Sequence, residues 1–275
     1  MEKVGIIYRD TPEAKALMQL IIETLQTHKI ENIWTENEEY ARNALKDFRD
    51  SDMIIALGGD GTLLSVARAC AGTTAVILGI NFGHVGFLAE LEPEEALSEL
   101  PHFLNGEYWL DERAMLQGVL KMDNFTEEYV ALNDIIIVRG GEPRVIRFDV
   151  LIDGNYFSTI TADGVIVATA TGSTAYNLAA GGPILYPEVR GAVLTPVAAH
   201  LDIARPIVLA EHCEVAIILH ETGGDAVFSA DGQITRPLTY PSHVLVSNSN
   251  LVTRFLRRKQ RNHFYFALRQ KLSER

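Results

Sequence analysis

The chain predicts an α/β N-terminal domain built on a parallel sheet, followed by a mainly antiparallel, β-rich C-terminal domain. Two observations carry this. Over residues 1–104, short apolar runs alternate with segments of roughly 10 to 15 residues whose apolar side chains recur at helical spacing, the pattern of a parallel sheet covered on both faces. Over residues 105–256, β-rich runs follow one another closely, separated by turn signals such as Asp123-Asn124, Gly140-Gly141 and Asp153-Gly154. No Pro/Ser linker marks the change near residue 105, so the domains are expected to pack tightly. The tail, 257–275, returns to helical spacing and is expected to dock on the first domain. With 275 residues, 47% of them hydrophobic, the chain can bury a sizeable core in one or two domains.

Taken in order, residues 4–8 form a short apolar strand. Residues 13–27 repeat Ala16, Leu17, Leu20, Ile21, Ile22 and Leu25 at helical spacing, with Thr11-Pro12 as cap and first turn. Residues 30–34 predict a second strand, and 38–48 a second helix through Tyr40, Ala41, Ala44, Leu45 and Phe48. A strand at 53–57, a helix at 62–71, a strand at 75–80 and a helix at 93–104 complete the first domain. Strands are expected next at 116–122, 128–138, 144–152, 156–161 and 165–170. Others follow at 206–209, 214–220, 226–229, 243–247 and 251–255, and the tail helix covers 264–272 through Phe264, Ala267, Leu268 and Leu272. There is no internal repeat.

The most informative stretch is Gly58-Gly59-Asp60-Gly61-Thr62, at the end of the buried-looking strand 53–57. Its glycines allow φ > 0 and close approach to bare main chain. Thr62 as N-cap would open a helix whose positive end faces the loop. That is a backbone-built phosphate site, and ligands in parallel sheets bind beyond the carboxyl ends of the strands. Asp60 adds a carboxylate where phosphate should sit. It suits a base for a hydroxyl proton or a holder of Mg²⁺, although an Asp-Gly turn explains the tripeptide equally well taken alone. Gly79-Ile80-Asn81-Phe82-Gly83-His84-Val85-Gly86-Phe87 follows the strand 75–80 and should share that sheet edge.

Three further segments place polar residues at strand ends. Leu132-Asn133-Asp134 interrupts an apolar run, where a β-bulge is the simpler explanation. Ala162-Asp163-Gly164 precedes a strand that leads into Thr171-Gly172-Ser173-Thr174-Ala175-Tyr176-Asn177-Leu178-Ala179, a possible second cradle of main-chain N–H groups with Tyr176 as an aromatic plate. Ser229-Ala230-Asp231-Gly232-Gln233 reads by itself as a hairpin turn.

Composition narrows the function. A formal net charge of −12 argues against nucleic acid or an anionic membrane as partner. No run approaches the roughly 18 apolar residues of a membrane helix, and Met1-Glu2-Lys3 leads into a strand rather than a signal peptide, so the cytoplasm is the expected compartment. The two cysteines, Cys70 and Cys213, read as free thiols in apolar surroundings. The first half is Rossmann-like but has no GxGxxG, and there is no GxxxxGK[ST], GxSxG or zinc-ligand spacing. His84, between glycines, is the one histidine near the expected site.

Together, in this order, these motifs resemble the bacterial NAD kinase family, with Ala180-Gly181-Gly182-Pro183, Ala204-Arg205-Pro206 and Asp231-Gly232-Gln233 extending the match. The resemblance implies an NAD kinase-like fold and transfer of the γ-phosphoryl of ATP to the 2′-hydroxyl of the adenosine ribose of NAD, giving NADP. It implies a divalent metal ion (Mg²⁺ or Mn²⁺), NAD bound between domains near a neighbouring subunit, and a homodimer or homotetramer. By position, Asp60 matches the proton acceptor, with Gly58, Gly59, Gly61 and Thr62 beside it. Asn133 and Asp134 match residues that hold NAD, and Asp163 one on the nicotinamide side. Thr174, Ala175, Tyr176 and Ala179 fall at the adenosine wall, Asn177 and Leu178 count among the substrate-binding residues, and Arg144 and Gln233 fall at further contacts. Two departures stand out: the family usually has Asn-Glu where this chain has Asn133-Asp134, and Thr161 replaces an often basic residue. The rival readings are a lipid kinase of the diacylglycerol or sphingosine type and a non-catalytic NAD(P) sensor. The first expects a basic or apolar membrane-facing patch, and the second has no use for Asp60.

Overall fold

Apolar strands flanked by amphipathic helices organise the first of two compact units, Met1–Glu112 with Thr253–Arg275; the second is Arg113–Val252. The structure, a computed structural model, describes residues 1–39, 46–83, 86–122, 125–141, 144–199, 205–221 and 224–273. His84, Ala204, the turn at Asp123-Asn124 and residues 40–45 of the expected second helix lie outside the described residues.

In the first unit, β1 (Lys3–Tyr8) leads into α1 (Pro12–Thr27), whose Thr11 cap accepts from the Ala14 N–H. α1 lays Ala14, Leu17, Met18, Ile21 and Leu25 on the sheet. Its end corrects the expected strand at 30–34. Lys29 turns at φ 65, its N–H donates to the Gln26 carbonyl and the Ile30 N–H donates to the Leu25 carbonyl. Ile30 therefore closes the helix, and β2 runs over Asn32–Asn37. The expected helix at 38–48 begins late: Glu38 and Glu39 form a turn, and helix α2 covers Lys46–Arg49.

β3 (Met53–Gly58) is buried at every residue because it lies between β1 and β4 (Val76–Asn81), both parallel to it. α3 (Asp60–Cys70) connects β3 to β4, and α4 (Ala96–Leu104) follows. The strand order β2-β1-β3-β4 makes the expected parallel sheet, with β2 at its edge.

β5 (Trp109–Met122) begins in the first unit and continues into the second, where it pairs antiparallel with β6 (Phe125–Ala131) from Leu116 onward. The expected strand 128–138 is two strands, because the chain bends at Leu132-Asn133 and enters another sheet as β7 (Asp134–Arg139). β8 (Ile146–Ile152) and β9 (Asn155–Ala162) form a hairpin, and β10 (Gly164–Ala168) lies beside β7. β11 (Ala192–Val197) and β15 (Ile234–Leu238) were not expected, since each contains a proline. Both positions tolerate one: β12 (Ile207–Leu209) pairs only Ala192–Leu194 and stops short of Pro196, and Pro237 is on the sheet-edge strand β15. The second sheet reads β12-β11-β10-β7-β14-β15, antiparallel throughout, with β14 at Ala226–Ala230. β13 (Glu214–Leu219) pairs with β8 and with β16 (Ser242–Arg257), which is one strand where two were expected, Asn248–Asn250 being accommodated within it. Phe148 and Val150 from β8 pack with Val165 and Val167 from β10 and Phe228 from β14 in the second unit's core.

A short helix, α5 (Tyr176–Ala179), follows a 3₁₀ turn at Gly172–Thr174. The tail forms α6 (His263–Ser273) in the first unit. Cys70 is buried, Cys213 is half-buried, and neither is paired. Among the described residues no helix is long and apolar enough to cross a membrane.

Candidate active site

The end of β3 delivers Gly58, Gly59 and Asp60 to the edge of the first unit's sheet. The helix starts earlier than expected: Gly59 is the N-cap, with φ −87 and ψ −174, and Asp60 is the first helical residue. Thr62 therefore sits within the first turn, where its hydroxyl donates to Glu38 Oε2 at 2.6 Å. None of the three glycines adopts positive φ; their value here is close approach. A Cβ on Gly58 would lie 2.3 Å from Thr62 Oγ1.

The second glycine-rich motif wraps back over this turn. The Phe82 N–H donates to the Gly58 carbonyl at 3.1 Å, and Asn81 Oδ1 accepts from the Gly83 N–H at 3.1 Å. The chain then brings Gly86–Leu88 over Asp60, whose carboxylate accepts from the Phe87 N–H at 3.2 Å and the Leu88 N–H at 3.3 Å. A Cβ on Gly86 would sit 2.2 Å from Asp60 Oδ1, so only glycine admits the carboxylate there. One N–H per oxygen fixes the plane of the carboxylate and leaves acceptor capacity on both oxygens. A half-buried carboxylate oriented by main chain at a helix N-terminus can take a proton from a hydroxyl or hold a hard cation.

In the second unit the structure gathers three of the segments singled out above. Asp231, buried and at φ 53, accepts from the N–H groups of Leu132 (3.1 Å), Asn133 (2.7 Å) and Asp134 (3.3 Å). Its own N–H donates to the Asp134 carbonyl, so the hairpin turn is a clamp on the 132–134 bend. From the other side Thr169 donates its hydroxyl to the Leu132 carbonyl at 2.6 Å and its N–H to the Asn133 carbonyl at 2.8 Å. Gly172 lies so close that a Cβ would fall 2.0 Å from the Asn133 carbonyl oxygen. Asn133 is left half-buried on this fixed bend. Asp134 is buried, and desolvation together with the neighbouring Asp231 charge pushes its pKa up to about 7.

The 171–179 segment is equally constrained. Arg113 donates to Thr171 Oγ1 at 3.1 Å, and Thr174 Oγ1 donates to the Thr171 carbonyl at 3.1 Å. Asn177 is fully buried: its amide nitrogen donates to the Ser173 and Pro183 carbonyls, and its amide oxygen accepts from Thr195. Its side chain holds the loop together. Ala175 and Leu178 are half-buried, whereas Tyr176 and Ala179 are exposed. Asp163 pairs with Arg139 Nε at 3.0 Å. Arg144 packs on Gly224, and the Gln233 N–H closes the 230–233 turn onto the Ala230 carbonyl. Sequence reading missed Thr169 and the clamping role of Asp231, because each acts on main chain far away in sequence; it placed Gly86 near Asp60 without showing that the glycine makes room for the carboxylate. The φ of Asp231 was foreshadowed by its Asp-Gly context.

A model of the ATP-NAD kinase N-terminal domain matches residues 4–108, and one of the ATP-NAD kinase C-terminal domain matches residues 132–258, starting at the clamped bend. The chain belongs to the NAD kinase family. NAD kinases from Thermoanaerobacter sp. (strain X514) and Caldanaerobacter subterraneus are 38% and 37% identical over 284 aligned positions, covering all of this chain and of theirs. One from Moorella thermoacetica is 34% identical, covering all of this chain and 90% of its own. The yeast NADH kinase complexed with NADH shares the fold, with a TM-score of 0.88 at 24% identity, over 98% of this chain and 87% of that one. So does the NAD kinase from Archaeoglobus fulgidus in complex with ATP, with a TM-score of 0.79 at 24% identity, over 97% and 98%. Membership of the NAD kinase family leaves the lipid kinase and the non-catalytic sensor without support.

Proposed function

We propose that this protein transfers the γ-phosphoryl group of ATP to the 2′-hydroxyl of the adenosine ribose of NAD, giving NADP, with Asp60 as the proton acceptor. The carrying observation is the Asp60 carboxylate at the start of α3, held by the N–H groups of Phe87 and Leu88. An alcohol is a poor nucleophile at neutral pH. As the ribose oxygen bonds to the γ-phosphorus, its proton passes to Asp60 and the bond from that phosphorus to the β,γ-bridging oxygen breaks, releasing ADP. Phosphoryl transfer asks little covalent chemistry of the protein and much positioning, which suits a site of glycines and small polar residues. The N-terminal end of α3 places a positive dipole at Gly59-Asp60-Gly61, where the transferring phosphoryl would be stabilised.

In the second unit Asn133, Asp134 and Asp163 would bind NAD. Thr174, Ala175 and Ala179 would border the adenosine, with the exposed Tyr176 as a stacking face. Asn177 would serve by holding that border in place, and Leu178, Arg144 and Gln233 would lie at its margins. Among the described residues no three His, Cys, Asp or Glu side chains form a metal cage. A hard cation carried into the site by the phosphates of ATP needs none. Bound there, Mg²⁺ or Mn²⁺ would neutralise phosphate charge. A homodimer or homotetramer accompanies this reading, with sedimentation velocity as its check.

The test is incubation with NAD, ATP and Mg²⁺, with NADP detected by an NADP-specific dehydrogenase. NADP formation supports the proposal; its absence, while NAD still binds, contradicts it. Substituting polyphosphate for ATP, and NADH for NAD, identifies the donor and the accepted redox form.

A further inference from the structure

Asp60 is aimed by the N–H groups of Phe87 and Leu88, which lie in a stretch that is neither helix nor strand. The Glu90 and Leu91 N–H groups tie its far end to the Gly79 carbonyl, and a buried cluster at the end of β16 holds it at Leu88 and Glu90. Arg257 Nη1 donates to the Leu88 carbonyl at 2.8 Å, its Nε donates to Asp111 at 3.0 Å, and Nη1 also lies 3.4 Å from Glu90 Oε2. Glu90 Oε1 in turn accepts from the N–H groups of Arg258 and Lys259, both at 2.8 Å. Arg257, Glu90 and Asp111 are all buried.

One cation and two carboxylates out of water are a costly arrangement. The effective penalty is several kcal/mol per ion, and apolar residues of similar volume would serve stability as well or better. Stability therefore does not explain the cluster. Its geometry does: a planar guanidinium presents donors at fixed angles and engages Asp111, Glu90 and the Leu88 carbonyl together, which a single ammonium cannot reproduce.

We propose that Arg257 is a positioning residue for phosphoryl transfer, acting through Leu88 to set the orientation of the Asp60 carboxylate. The inference rests on the reading of Asp60 as proton acceptor. Its test is a cycle in which Arg257→Lys is made alone and in the Asp60→Asn background, with kcat and KM measured for NAD and ATP. Alone, Arg257→Lys is expected to lower kcat by about 10- to 100-fold, the scale of a small misplacement of a reacting group, with both KM values within about twofold. With Asp60→Asn already present, it should lower kcat by less than about twofold, because the group it positions is gone. An equal loss in both backgrounds, or an unchanged kcat alone, overturns the inference and leaves the proposed function standing. Normal turnover by Asp60→Asn alone overturns the reading of Asp60 and the inference with it. If Arg257→Lys does not fold, the charge-balanced pair Asp111→Asn with Arg257→Met, in which Glu90 keeps the Arg258 and Lys259 N–H groups, takes the same test. Failure of both to fold would show a structural role and overturn the inference.

Discussion

At Gly86 a single methyl group would meet the Asp60 carboxylate 2.2 Å away, and Asp60 is too short and too firmly held to swing aside. Gly86→Ala is therefore expected to cost about 10- to 100-fold in kcat with little change in NAD affinity, read by steady-state kinetics beside equilibrium binding. Asp134 makes a different statement. Unfolded, its carboxyl ionises near pH 4; folded, burial and Asp231 raise its pKa to about 7. Between those values the unfolded chain has released a proton that the folded one retains, so stability falls as pH rises and the loss is complete above pH 7. Asp134→Asn should remove that slope. Denaturant unfolding across a pH series should show the variant level with the wild type near pH 4 and more stable near pH 8; parallel curves would contradict the assignment.

Among the elements, two substitutions isolate what local geometry contributes. Lys29 ends α1 at φ 65, a conformation that a side chain disfavours, and Lys29→Gly should raise stability by about 0.5–1 kcal/mol in urea unfolding. Thr169→Val keeps the shape but removes the hydroxyl that donates to the Leu132 carbonyl and accepts from the Gly172 N–H. It should destabilise by about 2–4 kcal/mol, since buried partners are left unsatisfied, and weaken NAD binding as the bend at Asn133 loosens. The same elements show what could be read beforehand. β3 and the Gly-rich loop were legible because an apolar run and its turn lie within one short window. β11 and β15 were not, because Pro196 and Pro237 look like breakers until the neighbouring strand is known to end or the strand to be an edge. The start of α3 was misplaced because an extended Gly59 caps as well as a threonine can. The link from Arg257 to Leu88 spans 169 positions and leaves no local mark in the sequence.

For the whole molecule, a net charge of −12 means that anionic substrates are not drawn in by overall charge. Local main-chain dipoles and a cation brought with the triphosphate must supply the attraction, so ATP affinity should fall sharply when Mg²⁺ is chelated. Binding of NAD to the folded state alone should raise the unfolding temperature, by the equivalent of about 2.7 kcal/mol at a hundredfold excess over Kd, in the Asp60→Asn variant as in the wild type. That variant carries the most direct measurement. With NAD, ATP and Mg²⁺, Asp60→Asn is expected to lose roughly 10²–10⁴-fold in kcat while its Kd for NAD stays within a few-fold of wild type. Wild-type turnover by Asp60→Asn would contradict the role assigned to this carboxylate.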